Sequence, residues 1–289
     1  PLPLRSGIDT AGENPVDRGT GRLTVTLNQG VPMARPSNLL YRFYEDRLQA
    51  SLDTELFPRH IAIILDGHRR YARSFNMASY TEAYRAGMRR FEDVVGWAEE
   101  LDIPAITAWV LSRENLDRPS EELDPYFDVL VELFGRLPAL GRRYGLTIKF
   151  IGSLDMLPER VVIAAKAAES ACEEGERRLT IAMGYGGRQE ITDACRDLVA
   201  DLVASGVEAD DIAEHITSER LANHMYSADL PDPDLLIRTS GEARLSGFLL
   251  WQSAYAEFVF VDVFWPAFRR IDFLRALREF SRRERRFGK

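Results

Sequence analysis

Six short, nearly continuous apolar runs, at 61–65, 105–111, 146–151, 179–183, 235–237 and 258–263, alternate along this chain with longer stretches of helical periodicity. A strand that faces solvent on one side alternates apolar and polar residues, whereas a strand apolar throughout must be covered on both faces. Strands of the second kind, separated by helices, build a parallel sheet sandwiched between helical layers. The pattern therefore predicts an α/β fold: a single domain with a central, mostly parallel six-stranded sheet covered by helices. It also confines any ligand site to the carboxyl ends of the strands. With 289 residues, 45% of them hydrophobic, the chain can bury one such core.

The flanks are different. Residues 1–37 are rich in Gly, Pro, Asn, Thr and Arg with no sustained periodicity, and are expected to be a flexible extension. From residue 38, Leu39, Leu40, Phe43, Tyr44 and Leu48 recur at helical spacing behind an N-cap at Ser37 or Asn38. No repeat and no Gly, Ser or Pro-rich linker divides 38–289, which is read as one domain. Charge and cysteine usage narrow the function. Thirty-seven Lys and Arg against 45 Asp and Glu leave a net charge of −8, which argues against a nucleic-acid partner. Cys172 and Cys195 lack metal-ligand spacing, and no apolar run approaches the roughly 18–20 residues needed to span a bilayer. A cytoplasmic protein with at most peripheral membrane contact is expected.

Three strand ends carry chemistry. After the first strand come Asp66, Gly67, His68, Arg69, Arg70 and Tyr71, with a helical pattern from about Tyr71. A glycine turn leading into a helix N-terminus offers backbone N–H groups to a phosphate, and the two arginines add charge-assisted donors. Asp66 cannot favour a phosphate without a cation between them, so the segment points to a Mg²⁺-diphosphate, or else to a helix cap beside solvated arginines. After the second strand, Ser112, Asn115 and Arg118 precede Pro119, which opens the next helix. After the fifth, Arg238, Arg244 and Ser246, interleaved with glycines and hydroxyls, form a multi-donor anion site, or a surface loop of ion pairs.

Taken in order, the segments 60–72 (HIAIILDGHRRYA), 112–119 (SRENLDRP), 184–188 (GYGGR), 234–242 (DLLIRTSGE), 248–257 (FLLWQSAYAE) and 285–288 (RRFG) resemble the cis-prenyltransferases, the undecaprenyl diphosphate synthase family, over roughly residues 38–289. The run SGFLLWQSAY is similar to short-chain members that make Z,E-farnesyl diphosphate. The resemblance implies a Mg²⁺-dependent synthase that condenses isopentenyl diphosphate with a short allylic diphosphate, dimethylallyl or geranyl, and a hydrophobic product tunnel between sheet and helices. It implies that Asp66 and Glu257 hold the metal and that Gly67, His68, Arg69, Arg70 and Tyr71 cradle the allylic diphosphate. Ser112, Arg113, Asn115, Leu116 and Arg118 would form the loop at the reacting centre, with Asn115 helping to remove the proton. Arg238, Arg244 and Ser246 would bind isopentenyl diphosphate, Arg286 and Gly288 would reach across a homodimer interface, and Val110 would shorten the product by blocking the tunnel. His68 departs from the family, which has Asn there; a side chain that titrates near neutrality would make activity pH-dependent. That departure motivates an alternative, a divergent enzyme on the same fold that cyclises, irregularly couples or hydrolyses prenyl diphosphates. A non-catalytic partner subunit is the other alternative.

Overall fold

Each of the six apolar runs is a strand, and every neighbouring pair in the sheet is parallel. In this computed structural model the described residues are 38–283. The expected extension at 1–37 and the positions Arg286 and Gly288 lie outside them. The strands are β1 (His60–Ile64), β2 (Ala105–Ser112), β3 (Leu146–Ile151), β4 (Arg177–Tyr185), β5 (Leu235–Arg238) and β6 (Glu257–Phe260), in the order β3-β4-β2-β1-β5-β6. Parallel neighbours require crossovers, and helices supply them. Between β1 and β2 run α1's successors α2 (His68–Ser74) and α3 (Tyr80–Glu100), α1 itself being Asn38–Ala50 ahead of the sheet. Next come α4 (Ser120–Tyr144), α5 (Glu159–Ser170) and α6 (Gly187–Ala204), then the short α7 (Ile212–His215) and α8 (Ser218–Ala222), and finally α9 (Arg270–Arg282) after β6.

Side chains of successive strand residues point to opposite faces, so each strand feeds two cores. Ile61, Ile63, Ile106, Ala108 and Val110 belong to the larger core, with Met88 and Phe91 of α3 and Leu130 and Phe134 of α4. Ala62, Ile64, Trp109, Ala182 and Leu236 belong to the smaller one, with Tyr185, Phe248 and Leu249. Full burial of such a side chain contributes about 1.5–3 kcal/mol, which is why a sheet apolar on both faces is stable only when both are covered.

Two boundaries differ from the sequence expectation by three residues, the others by at most two. The sixth strand is shorter, because its partner β5 ends at Arg238 and the chain then turns through Ser240 (φ 76°) and Gly241 (φ 72°). Residues 261–263 bond to that turn instead, with Ser240 N–H donating to Val263 O and Gly241 N–H to Val261 O. The helix after β1 begins at His68 and not near Tyr71, because Gly67 in the left-handed region (φ 111°) redirects the chain in one residue. Among the described residues no helix is long and apolar enough to cross a membrane.

Candidate functional site

Asp66 leaves the carboxyl end of β1, the strand between β2 and β5 in the sheet. A Cβ on the next residue, Gly67, would lie 2.9 Å from the Phe264 ring and 3.0 Å from Ser240 Cβ, so only glycine allows the β1 and β5 ends to approach this closely. Thr239 fastens the two ends: its hydroxyl accepts from Asp66 N–H at 3.1 Å and reaches Asp66 O at 2.8 Å. A cavity of about 550 Å³ opens here, lined by Asp66 to Arg70, by Ser112, Asn115 and Arg118 beyond β2, and by Arg238, Arg244 and Ser246 beyond β5. The three polar segments picked from sequence thus meet around one space.

The charges are arranged in bridges. Arg70 Nη2 lies 3.1 Å from Asp66 Oδ1, and Arg238 Nη2 lies 2.9 Å from Asp66 Oδ2. Burial pushes the Asp66 carboxyl up, but the Arg238 hydrogen bond and the charges of Arg70 and Arg238 outweigh it, and the net effect holds it below the usual carboxylate range. Arg238 is nearly buried, and Nη1 also donates to Ser246 Oγ at 2.7 Å and to Arg244 O at 2.5 Å. Glu122 sits between Arg69 (3.1 Å) and Arg118 (3.2 Å), and Glu242 between Arg70 (2.9 Å) and Arg244 (2.6 Å). Each carboxylate therefore holds two guanidinium groups converging on one point, the disposition that a diphosphate requires. Glu122, Thr239, Ser240 and Glu242 were not singled out from sequence. Glu122 reads there as an acidic first turn of α4, and only the fold, which brings Arg69 of α2 to 3.1 Å and Arg118 of the preceding loop to 3.2 Å, reveals its partners.

Of the other expected site residues, some line the cavity and some do not. Asn115 Oδ1 accepts from Arg118 at 2.5 Å and its N–H donates to Ser112 Oγ at 3.2 Å, so its amide oxygen is already engaged. Val110 lines the cavity, with its carbonyl accepting from Tyr126 Oη at 2.7 Å. Tyr71, Arg113 and Leu116 are not among the lining residues: Tyr71 packs at a tilt against Phe75, Arg113 donates to Ser153 Oγ, and Leu116 packs on the core. Glu257 is corrected outright as a ligand shared with Asp66. It pairs in register with Leu235, which pairs with Ile61, so it lies two strands away and at the amino end of the sheet, where it binds Arg283 at 2.6 Å. Strands rise about 3.3 Å per residue, so one chain cannot bring both carboxylates onto one ion.

His68 lines the cavity, but its ring turns away from the arginine cluster, against Tyr84, Tyr126 and Gly87. Burial lowers its pKa to about 4 despite the nearby Asp66 charge and the bond to the Leu65 carbonyl, so it is neutral across the physiological range and supplies no pH switch near 7.

Among the described residues no group of three His, Cys, Asp or Glu is placed to cage a metal. Asp66 alone, ionised and facing the cavity, suits a cation that completes its shell with diphosphate oxygens and water, which is how Mg²⁺ is commonly bound.

Comparison with known proteins agrees with this geometry. The family model for undecaprenyl diphosphate synthases matches residues 64–288. A (2Z,6E)-farnesyl diphosphate synthase of Thermobifida fusca is 48% identical over 250 residues, 86% of this chain and 97% of that one. A tritrans,polycis-undecaprenyl-diphosphate synthase (geranylgeranyl-diphosphate specific) of Methanopyrus kandleri is 46% identical over 253 residues, 86% and 92% of the two chains. Among solved structures, the lavandulyl diphosphate synthase of Lavandula x intermedia in complex with dimethylallyl diphosphate superposes with a TM-score of 0.76 at 32% identity, covering 81% of this chain and all of that one.

Proposed function

The chain belongs to the undecaprenyl diphosphate synthase family and is a cis-type prenyltransferase, and from that premise we propose that it condenses isopentenyl diphosphate with a short allylic diphosphate to a Z-configured prenyl diphosphate of farnesyl size. One observation carries the reading: two arginine groups, Arg69, Arg70 and Arg118 on one side and Arg238 and Arg244 on the other, face one cavity around a single ionised aspartate. Two diphosphates held side by side need that charge pattern, and the similarity to the farnesyl diphosphate synthase and to the synthase holding dimethylallyl diphosphate supports the substrate class.

The chemistry follows from the charges. The allylic C1–O bond breaks with its electron pair going to the leaving diphosphate, the terminal carbon of isopentenyl diphosphate bonds to C1, and a proton passes from C2 of the isopentenyl unit to a diphosphate oxygen as the new double bond forms. Arg69 and Arg70 neutralise charge that grows on the leaving group, and they are already oriented by Glu122, Asp66, Ser240 and Glu242. Arg238, Arg244 and Ser246 hold the second diphosphate beside the first, which makes the bond formation effectively unimolecular. The amide of Asn115 is no base at neutral pH, so in this scheme it orients the reacting centre while Arg118 occupies its oxygen. Asp66 would hold Mg²⁺, which would supply Lewis-acid neutralisation of the leaving group. Arg286 and Gly288 are proposed to complete the isopentenyl diphosphate site of a partner copy in a homodimer.

The test incubates the purified chain with Mg²⁺, isopentenyl diphosphate and, separately, dimethylallyl, geranyl and farnesyl diphosphate. Elongated prenyl diphosphates and released diphosphate are expected. Hydrolysis without carbon–carbon bond formation, or cyclic or irregular products, would overturn the reading.

A further inference from the structure

The hydrocarbon of an allylic substrate must leave the charged end of the cavity and enter apolar space. The apolar lining that belongs to the larger core is Leu65, Tyr84, Val110, Leu111 and Tyr126, and the His68 ring lines the cavity beside Tyr84 and Tyr126. The larger core to which Tyr84 and Tyr126 belong is also filled by Met88, Phe91 and Leu130, all essentially fully buried and none of them lining the cavity. The three rings are thus cavity lining set against a packed core. Tyr84 and Tyr126 have centroids 4.6 Å apart, and His68 lies 5.7 Å from the first and 6.5 Å from the second.

The rings are fixed in place. Tyr126 is pinned through its hydroxyl to the Val110 carbonyl. The His68 ring bonds the Leu65 carbonyl, and its Nε2 is buried with no partner. That nitrogen presses on the backbone of α3 at Gly87, where a Cβ would come within 2.0 Å of it. Gly87 is held in turn by Trp265, whose Nε1–H donates to the Gly87 carbonyl at 2.8 Å. A side chain at the edge of the anion site has thus been folded inward as packing, into a gap that a glycine leaves in the neighbouring helix.

We propose that His68, wedged between Tyr84, Tyr126 and Gly87, is a specificity-determining residue that closes the inner end of the cavity and limits the length of the allylic chain. This rests on the synthase reading above and deepens it: the length limit is a wall of three rings from α2, α3 and α4, with Val110 as its fourth side.

His68→Asn is the discriminating variant, because the amide keeps an N–H near the Leu65 carbonyl and removes the outer atoms of the ring. Two readouts are taken, the chain-length distribution of products and the ratio of dissociation constants for geranyl over geranylgeranyl diphosphate, which needs no turnover. The wall predicts a shift of roughly tenfold toward the longer chain in both, the discrimination that a hydrophobic pocket obtains from a group of this size. An unchanged distribution, or an unchanged binding ratio in an inactive variant that circular dichroism shows to be folded, overturns the proposal. If His68→Asn does not fold, Tyr84→Phe and Tyr84→Ala are compared in the same binding series: the wall predicts the shift for Ala alone, and equal ratios overturn it. Failure of the synthase reading is distinct, since it would show as no elongation by the unsubstituted protein while the binding series still reports on the wall.

Discussion

Arg238 and Asp66, at the ends of two adjacent parallel strands, are joined by a hydrogen bond of 2.9 Å between Nη2 and Oδ2. The β1–β5 register sets Ile64 opposite Arg238, so Asp66, two residues further on, arches back over its neighbour strand. The same guanidinium donates to Ser246 and to the Arg244 carbonyl. One nearly buried cation therefore ties the aspartate of one proposed diphosphate subsite to the loop of the other.

Replacing Asp66 with Asn removes the carboxylate that, among the described residues, pairs with the buried Arg238. Turnover should fall by roughly a hundredfold or more, equivalent to about 2.7 kcal/mol of barrier. Stability should drop by about 1–3 kcal/mol, the range for a buried charged group that loses its partner. Steady-state kinetics with a denaturant titration of the same preparation checks both, and near-normal turnover would remove Asp66 from the mechanism.

Glu242 offers a different test, since it occupies Arg70 and Arg244 in the place where an anion would bind. Glu242→Gln should tighten binding of inorganic diphosphate by about threefold to tenfold, because partly exposed pairs of this kind are each worth about 0.2–1 kcal/mol and no longer have to be displaced. Calorimetry at fixed salt measures this. Weaker binding would mean that the carboxylate serves chiefly to aim the arginines.

The pH dependence of stability follows from His68. A histidine held near 4 in the folded state resists a proton that the unfolded chain accepts near 6.5. Its contribution is complete above about pH 6.5 and is lost as pH falls toward about 4, amounting to about 3 kcal/mol at the acid end. His60, buried and bonded at both ring nitrogens to Pro231 O and Thr107 Oγ1, acts in the same direction. Asp66, with a lowered pKa, adds a loss below the ordinary carboxylate range. Denaturation midpoints between pH 7.5 and 4.5 should therefore fall with acid and fall less in His68→Asn; parallel curves for the two proteins would contradict the assignment.

The alternation of apolar strands and helices was legible in the sequence because a sheet covered on both faces leaves no polar period within its strands. The arginine and hydroxyl clusters were legible because turns that follow such strands must lie together at one end of the sheet. Glu257 was not, since sequence spacing alone does not tell the start of a strand from its end, and register places it opposite Leu235 at the amino edge. The direction of His68 was not either, because it depends on a space beside Gly87, nineteen residues later and on another helix. Glu122 and Glu242 read as ordinary helix-start and loop acids until their arginines came from α2 and from the loops after β2 and β5.

The most direct measurement of the central claim is the structure of the product formed from geranyl and isopentenyl diphosphates, with its mass and the geometry of the new double bond determined by mass spectrometry and NMR. The account predicts a prenyl diphosphate one isoprene unit longer with a Z bond at the new position, formed with one diphosphate released per condensation. A new E bond, or consumption of geranyl diphosphate without a new carbon–carbon bond, would contradict it.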